Sequence, residues 1–214
     1  MQDIKVKDEI LLATLPNVIF DGWTDGAVES GAIDAGYDAA MAVRAFPYGI
    51  GDVLAHFADY INREMSKRLE EEDLENVSVG LCLEKAMRIR LEIEGPYREA
   101  VRKAMSYYAL PSNAPQGVQT VWKAVDEMWW ACGDESVDFN YYTKRASLAA
   151  VYSATMVYWL SDDSEGFEET ILFYRRRLID VINAVKTRKK LFSNVEEFVG
   201  KLTGRTLKSG LMQR

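Results

Sequence analysis

Histidine is nearly absent from this chain: His56 is the single one among 214 residues. It sits mid-helix between Ala55 and Phe57, with no Glu-x-x-His partner, no Ser/His/Asp set and no Gly-rich phosphate loop. It reads as a solvated or capping residue. Cysteine is scarce too. Cys82 and Cys132 give neither metal spacing nor a disulfide framework. Both fall on helical apolar patterns, and they read as small buried hydrophobes in a reducing compartment. The five prolines fall mostly where helices begin or end. The charge-free run Ala146–Leu160 covers fifteen residues, whereas a bilayer crossing needs about 20. It is therefore expected inside a protein. The opening MQDIKVKDEI is neither a secretory signal nor an Arg-rich transit peptide. Glu70-Glu71-Glu72 and Glu168-Glu169 are loop and helix-start acids rather than metal ligands. No catalytic residue, metal or cofactor is expected.

What is present in quantity is charge, unevenly placed. Net charge is −7. From Asp21 to Tyr60 there are seven acidic residues against Arg44 alone; from Lys186 to Arg214 there are eight basic residues against Glu196 and Glu197. Such blocks imply different partners at the two ends. Trp and Tyr gather in the middle third.

The central stretch Gly133–Ile182 organises the rest. Leu148, Tyr152, Met156 and Trp159 form a large aromatic stripe on one helix. Ala146, Ala149, Ala150, Ser153 and Val157 form a small one, which lets a neighbouring helix approach closely. The large stripe either fills a core or lines an apolar cavity. The cluster Ser161-Asp162-Asp163-Ser164 caps a following helix, whose apolar face is Phe167, Ile171, Tyr174, Leu178, Val181 and Val185.

Taken in order, the pattern predicts a helix over 4–20 with Pro16 kinking or restarting it, and a second from Thr24 to Gly36. A very short third helix follows, Ala39 to Phe46, capped by Asp38. Longer helices cover 51–71, 78–94, the segment from Pro96 to Pro111, and the segment from Pro115 to Gly133. One helix, two short ones about a Gly-containing turn, and then a long one is the helix-turn-helix arrangement. FDGWTDGAVESGAIDAGYDAAMAVRAFP resembles the N-terminal domain of TetR-type regulators, with Gly22-Trp23, Ala35-Gly36 and Phe46 at the turn, the helix end and the closing aromatic. The charges argue against DNA. Affinity for a duplex comes largely from Lys and Arg neutralising phosphates, and the helix that would read bases offers one Arg among alanines.

The tail LFSNVEEFVGKLTGR places Ser193 and Glu196 in capping-box spacing. Val195, Phe198, Val199 and Leu202 share a face, flanked by Lys190, Lys201 and Arg205. So short a helix needs a surface to fold on, either an anionic bilayer or its own or a twin subunit.

GDESVDFNYYTKRASLAAVYSATMVYWLSDDS, with VWKAVDEMWWACGD before it and LPNVIFDGWT near the start, resembles the Coq-nine family. These are lipid-binding accessory proteins of ubiquinone (coenzyme Q) biosynthesis with a modified TetR fold. The resemblance runs from about Ile10 to Val185 and implies an all-α, TetR-like fold. Residues 1–48 would be a degenerate three-helix helix-turn-helix domain, 49–189 a larger helical lipid-binding and dimerisation domain, and 190–214 an amphipathic membrane-associating tail. It further implies a pocket for an isoprenoid lipid or ubiquinone precursor, with Trp122, Leu148, Tyr152, Met156, Trp159, Phe167 and Tyr174 as walls. A patch of Met128, Trp129, Asp138, Tyr141 and Tyr142 would engage the pathway's di-iron or flavin hydroxylase. Helical spacing cannot bury Trp129, Trp130, Tyr141 and Tyr142 in one core, so some must be exposed. Val195, Phe198, Val199, Lys201, Leu202 and Arg205 would meet the membrane surface. A homodimer without DNA-binding function is expected, in the bacterial cytoplasm at the inner membrane, or in the mitochondrial matrix if a leader has been removed. The other reading of the same fold is a TetR-type repressor sensing a hydrophobic ligand.

Overall fold

The computed structural model describes residues 2–133 and 139–181. Helix α1 (Gln2–Asp21) continues through Pro16, so of the kink or restart expected there the restart does not occur. Its inner face of Ile10, Leu11, Leu15 and Val18 is fully buried. Gly22, at φ 70°, turns the chain into α2 (Asp25–Asp34), where the Thr24 hydroxyl accepts from the Ala27 N–H at 3.2 Å. Gly36, at φ 87°, closes that helix. Helices α1 and α2 cross closely at Gly31, where an added Cβ would lie 2.8 Å from the Thr14 Cα.

Helix α3 (Ala40–Ala45) has no side-chain cap, contrary to the role expected of Asp38. Its carboxylate instead receives Arg44 Nη2 on both oxygens, at 2.7 and 3.0 Å. An ion pair six residues away competed better for that carboxylate than the backbone amides did. Phe46 is buried beside His56, with ring centroids 5.7 Å apart.

Helix α4 (Ile50–Glu70) buries Val53, Leu54, Phe57, Ile61, Met65 and Leu69. It packs against α5 (Val79–Glu94), which is capped by the Ser78 hydroxyl, and against α7 (Ala114–Ala131). A 3-10 turn, Gly95–Tyr97, leads into α6 (Arg98–Tyr108). Helix α6 fixes the helix-turn-helix end to the rest. The Trp23 indole donates to the Ala100 carbonyl at 2.9 Å, and the Lys103 ammonium donates to the Val18 and Ile19 carbonyls at 3.0 and 2.8 Å.

Helix α8 (Phe139–Trp159) lies on α7. Its large stripe is inward: Leu148, Tyr152, Met156 and Trp159 are all buried. Its small stripe is largely uncovered among the described residues. Ala146, Ala150, Ser153 and Val157 are exposed, so the neighbouring helix expected there is absent among the described residues. Asp162 caps the next helix, at 168–181, taking the Thr170 N–H at 2.9 Å and the Thr170 hydroxyl at 2.5 Å.

The cysteines depart from expectation. Cys82, near the start of α5, and Cys132, just past α7, form a disulfide across Cα atoms 5.8 Å apart. A separation of 50 residues says nothing about proximity; the antiparallel packing of α5 and α7 brings them together. His56 is likewise not solvated. Its Nε2 lies 2.8 Å from Asp8 Oδ1, and the Arg63 guanidinium grips the same carboxylate at 2.6 and 3.0 Å.

The chain forms two compact units, Met1–Tyr174 and Arg175–Arg214. In the second, the described residues 175–181 are helical, with Arg177 paired to Asp180 at 3.1 Å.

Candidate functional site

Helices α4 to α8 line a cavity of about 320 Å³ that is partly open to solvent, a size that takes a drug-sized ligand. Leu54, Phe57 and Ile61 of α4 face Val101, Ala104 and Met105 of α6 across it, with Val121 and Ala124 of α7 and Met156 of α8 completing an apolar lining. Small residues make the space. Ala58, Ala104, Gly117 and Ala124 stand where larger side chains would fill it.

One end is polar. Arg90 and Glu94, i and i+4 on α5, line the cavity and are only 2% and 5% exposed. Arg90 Nη1 donates to Asn62 Oδ1 at 2.5 Å, and Nη2 donates to the Tyr152 hydroxyl at 3.3 Å and faces Glu94 Oε1 at 3.5 Å. Burial drives the Glu94 carboxyl up, with Arg90 opposing it. Burial likewise raises the Tyr152 phenol, which stays a neutral partner.

The expected walls divide. Tyr152 and Met156 line this cavity. Leu148 is in the packed core, and Tyr174, fully buried, donates its hydroxyl to the Leu83 carbonyl at 3.3 Å. Trp159 packs edge-on against Phe167 at 5.9 Å, with the Arg98 guanidinium over both rings. Trp122 belongs to a different cluster.

That cluster lies along α7 and α8. Trp122 faces Tyr142 at 6.3 Å, and Tyr142 meets Tyr141 edge-on at 5.1 Å. Arg145 lies over the Tyr141 ring at 3.5 Å, and its Nε and the Tyr141 hydroxyl both donate to Asp126 Oδ1. Lys144 sits over the Trp129 ring at 5.3 Å. Trp130 and Tyr142 are 65% and 63% exposed, while Trp129 and Tyr141 are half-buried and Met128 is fully buried. Asp138 lies outside the described residues, as do Val195, Phe198, Val199, Lys201, Leu202 and Arg205.

Comparison with known proteins bears on this geometry. The family model for COQ9 matches residues 114–185, which carry α7, α8 and the aromatic cluster. The human protein named ubiquinone biosynthesis protein COQ9, mitochondrial, is 35% identical over 98% of this chain and 69% of its own length. The chain belongs to the COQ9 family. A COQ9 of Xenopus tropicalis is 32% identical over 98% of this chain and 69% of its own. A solved TetR transcriptional regulator from Nitrosomonas europaea superposes with a TM-score of 0.66 at 16% identity, covering 82% of this chain and 97% of its own. The fold is all-α and TetR-like.

Within this COQ9 chain, the polar cavity end escaped the sequence reading. Arg90 and Glu94 share the face of Leu83 and Met87 at helical spacing, and that register was the available signal. Among the described residues no helix is long and apolar enough to cross a membrane, and no group of three His, Cys, Asp or Glu could hold a metal ion.

Proposed function

We propose that the chain is a non-catalytic carrier in ubiquinone biosynthesis, which withdraws a prenylated quinone precursor from the membrane and presents it to a ring hydroxylase. Membership of the COQ9 family gives the pathway. The observation that carries the finer reading is the cavity between α4 and α8, apolar over most of its wall. An apolar hollow replaces the bilayer interior around a prenyl chain at little cost. Its size suits a ring with its first isoprene units. Native mass spectrometry of protein purified from its own host, with the bound lipid extracted, tests this directly. Ala104→Phe, which fills the cavity, is expected to abolish the lipid adduct while leaving the melting transition intact. A retained adduct overturns the reading.

The aromatic face of Trp122, Trp130 and Tyr142 is the docking surface in this proposal, since exposed aromatics beside charged residues are usual interface anchors. Tyr142→Lys should weaken co-purification of the hydroxylase at least about tenfold, the loss of one hot-spot contact; undiminished association removes the patch. Tyr141 is the poorer target, because Asp126 and Arg145 bind it into the fold. The tail at 190–214 serves as membrane contact on the strength of its sequence pattern. Homodimerisation is proposed from the TetR-like fold.

A further inference from the structure

We propose that Cys82 and Cys132 form a thiol–disulfide exchange site for a small thiol of the glutathione class, and that its redox state sets the order of the last turn of α7. The consequence for docking rests on the reading that the aromatic face meets the hydroxylase; the exchange site does not.

Three observations carry it. First, the pair is self-contained. These are the two cysteines of the whole sequence, and they are bonded to each other. Opening the bond leaves no third thiol in the chain to reshuffle with, so the chain has two defined covalent states. Second, the fold does not depend on the bond. Chains that need a disulfide are mostly small ones with too little core. Here Ile61 and Met65 of α4, Leu83 and Met87 of α5, and Val125 and Met128 of α7 are each at most 1% exposed. Third, the two sulfurs sit in different settings. Cys82 is 4% exposed and closes the first turn of α5, its N–H donating to the Ser78 carbonyl at 2.9 Å. Cys132 is partly exposed, just past the end of α7.

These settings give the exchange a direction. An incoming thiolate approaches from the Cys132 side and bonds to Cys132 Sγ. The bond between the two protein sulfurs breaks, and Cys82 leaves as a thiolate, which the positive end of α5 stabilises. A better leaving thiolate makes this the faster route. A second external thiolate attacks the outer sulfur of the mixed disulfide and releases the Cys132 thiolate. In sum, two external thiols become one external disulfide, and their two protons end on Cys82 and Cys132. Glutathione disulfide, the oxidant, runs the same steps backwards.

Opening acts on the end of α7. There the Cys132 N–H donates to the Met128 carbonyl at 3.2 Å, and the Gly133 N–H donates to the Trp130 carbonyl at 2.9 Å. The disulfide adds a covalent tie from this turn to α5. The Trp129 indole N–H is buried there with no acceptor, an arrangement that costs free energy. A released turn relieves that cost by letting the indole reach water. Trp129 and the exposed Trp130 are therefore ordered in the disulfide state and looser in the dithiol state.

The test equilibrates the full-length chain in buffers of graded glutathione to glutathione disulfide ratio, quenches with N-ethylmaleimide and weighs the intact protein. Amide hydrogen exchange is read on the same samples before quenching. Folded protein should take up two maleimides together as reduced glutathione rises, and glutathione disulfide should reverse this. Circular dichroism should stay unchanged, while hydrogen exchange at 129–132 speeds up about tenfold. The double variant Cys82→Ala with Cys132→Ser should exchange like the reduced wild type and ignore glutathione. A bond that resists excess glutathione until the chain is unfolded in urea overturns the exchange site. So do two free thiols that glutathione disulfide does not close. A bond that opens without any change in hydrogen exchange overturns its hold on α7. Co-purification of the ring hydroxylase of the same host should fall about tenfold on opening. Undiminished association with a loosened turn removes the aromatic face as docking surface and leaves the exchange site standing. Should the double variant fail to fold, the wild-type series decides alone.

Discussion

At the level of single residues, His56 shows how a group passed over as solvated can hold two helices together. Its Nε2–H, donating to Asp8 on α1, leaves the imidazole neutral. Burial pushes its pKa down, Asp8 pulls it up, and Arg63 and Lys7 add to the lowering. A base with a depressed folded pKa binds fewer protons folded than unfolded. Its contribution is therefore complete above the ordinary histidine value, about 6.5, and is lost as pH falls through the lower folded value. Urea melts between pH 7.5 and 5 (about those limits) should show stability declining over that interval. The decline is about 1.4 kcal/mol for each unit of depression, and His56→Gln should flatten it. The charged residues divide by what else sits near them. Arg90 and Glu94 were passed over, despite their register with Leu83 and Met87, because charge on a helix ordinarily marks the wet face. Asp38 was misread as a cap because its position next to a helix start was visible and its partner Arg44 was not.

Among the elements, Thr24 and the turn glycines reported the structure faithfully, whereas Asp38 did not. Thr24 accepts from its helix amide, and Gly22 and Gly36 take the positive φ that the turn and the helix end require. Local chemistry decides such features, so local sequence shows them. Pairing between elements is another matter. The close crossing of α1 and α2 turns on Gly31, whose missing Cβ leaves room for Thr14. Gly31→Ala should cost about 1–3 kcal/mol in thermal or urea melts through overpacking, despite the better helix propensity of alanine. Adding Thr14→Ala should restore only part of the loss, because the Thr14 Cα at 2.8 Å stays in the way. The stripes of α8 make the same point. Periodicity separated the large side chains from the small ones, but not a covered face from an open one, nor Trp122 in the aromatic cluster from Met156 in the cavity.

For the molecule as a whole, the decisive contrast is between a TetR-like shape and an acidic helix-turn-helix. Helix α3 carries Arg44 as its basic residue, and Asp38 already holds it. Gel-shift assays against duplex DNA at low salt should therefore show no binding, whereas a repressor would bind with steep salt dependence. In parallel, truncation after residue 189 should remove binding to vesicles containing anionic lipid; retained binding would move the membrane contact elsewhere. The family, the fold class and the helix order were legible because a long stretch of sequence carries them redundantly. The cavity was half legible, since Tyr152 and Met156 belong to it while its emptiness depends on how small residues from α4, α6 and α7 come to face one another.

The bridge between Cys82 and Cys132 joins the helix bearing Arg90 to the end of the helix bearing Trp130. Thiol chemistry thus reaches both the polar end of the cavity and the face proposed to meet the enzyme. Protein purified with a reducing agent and protein purified without it are in effect two reagents, and any binding constant measured for one needs to be remeasured for the other.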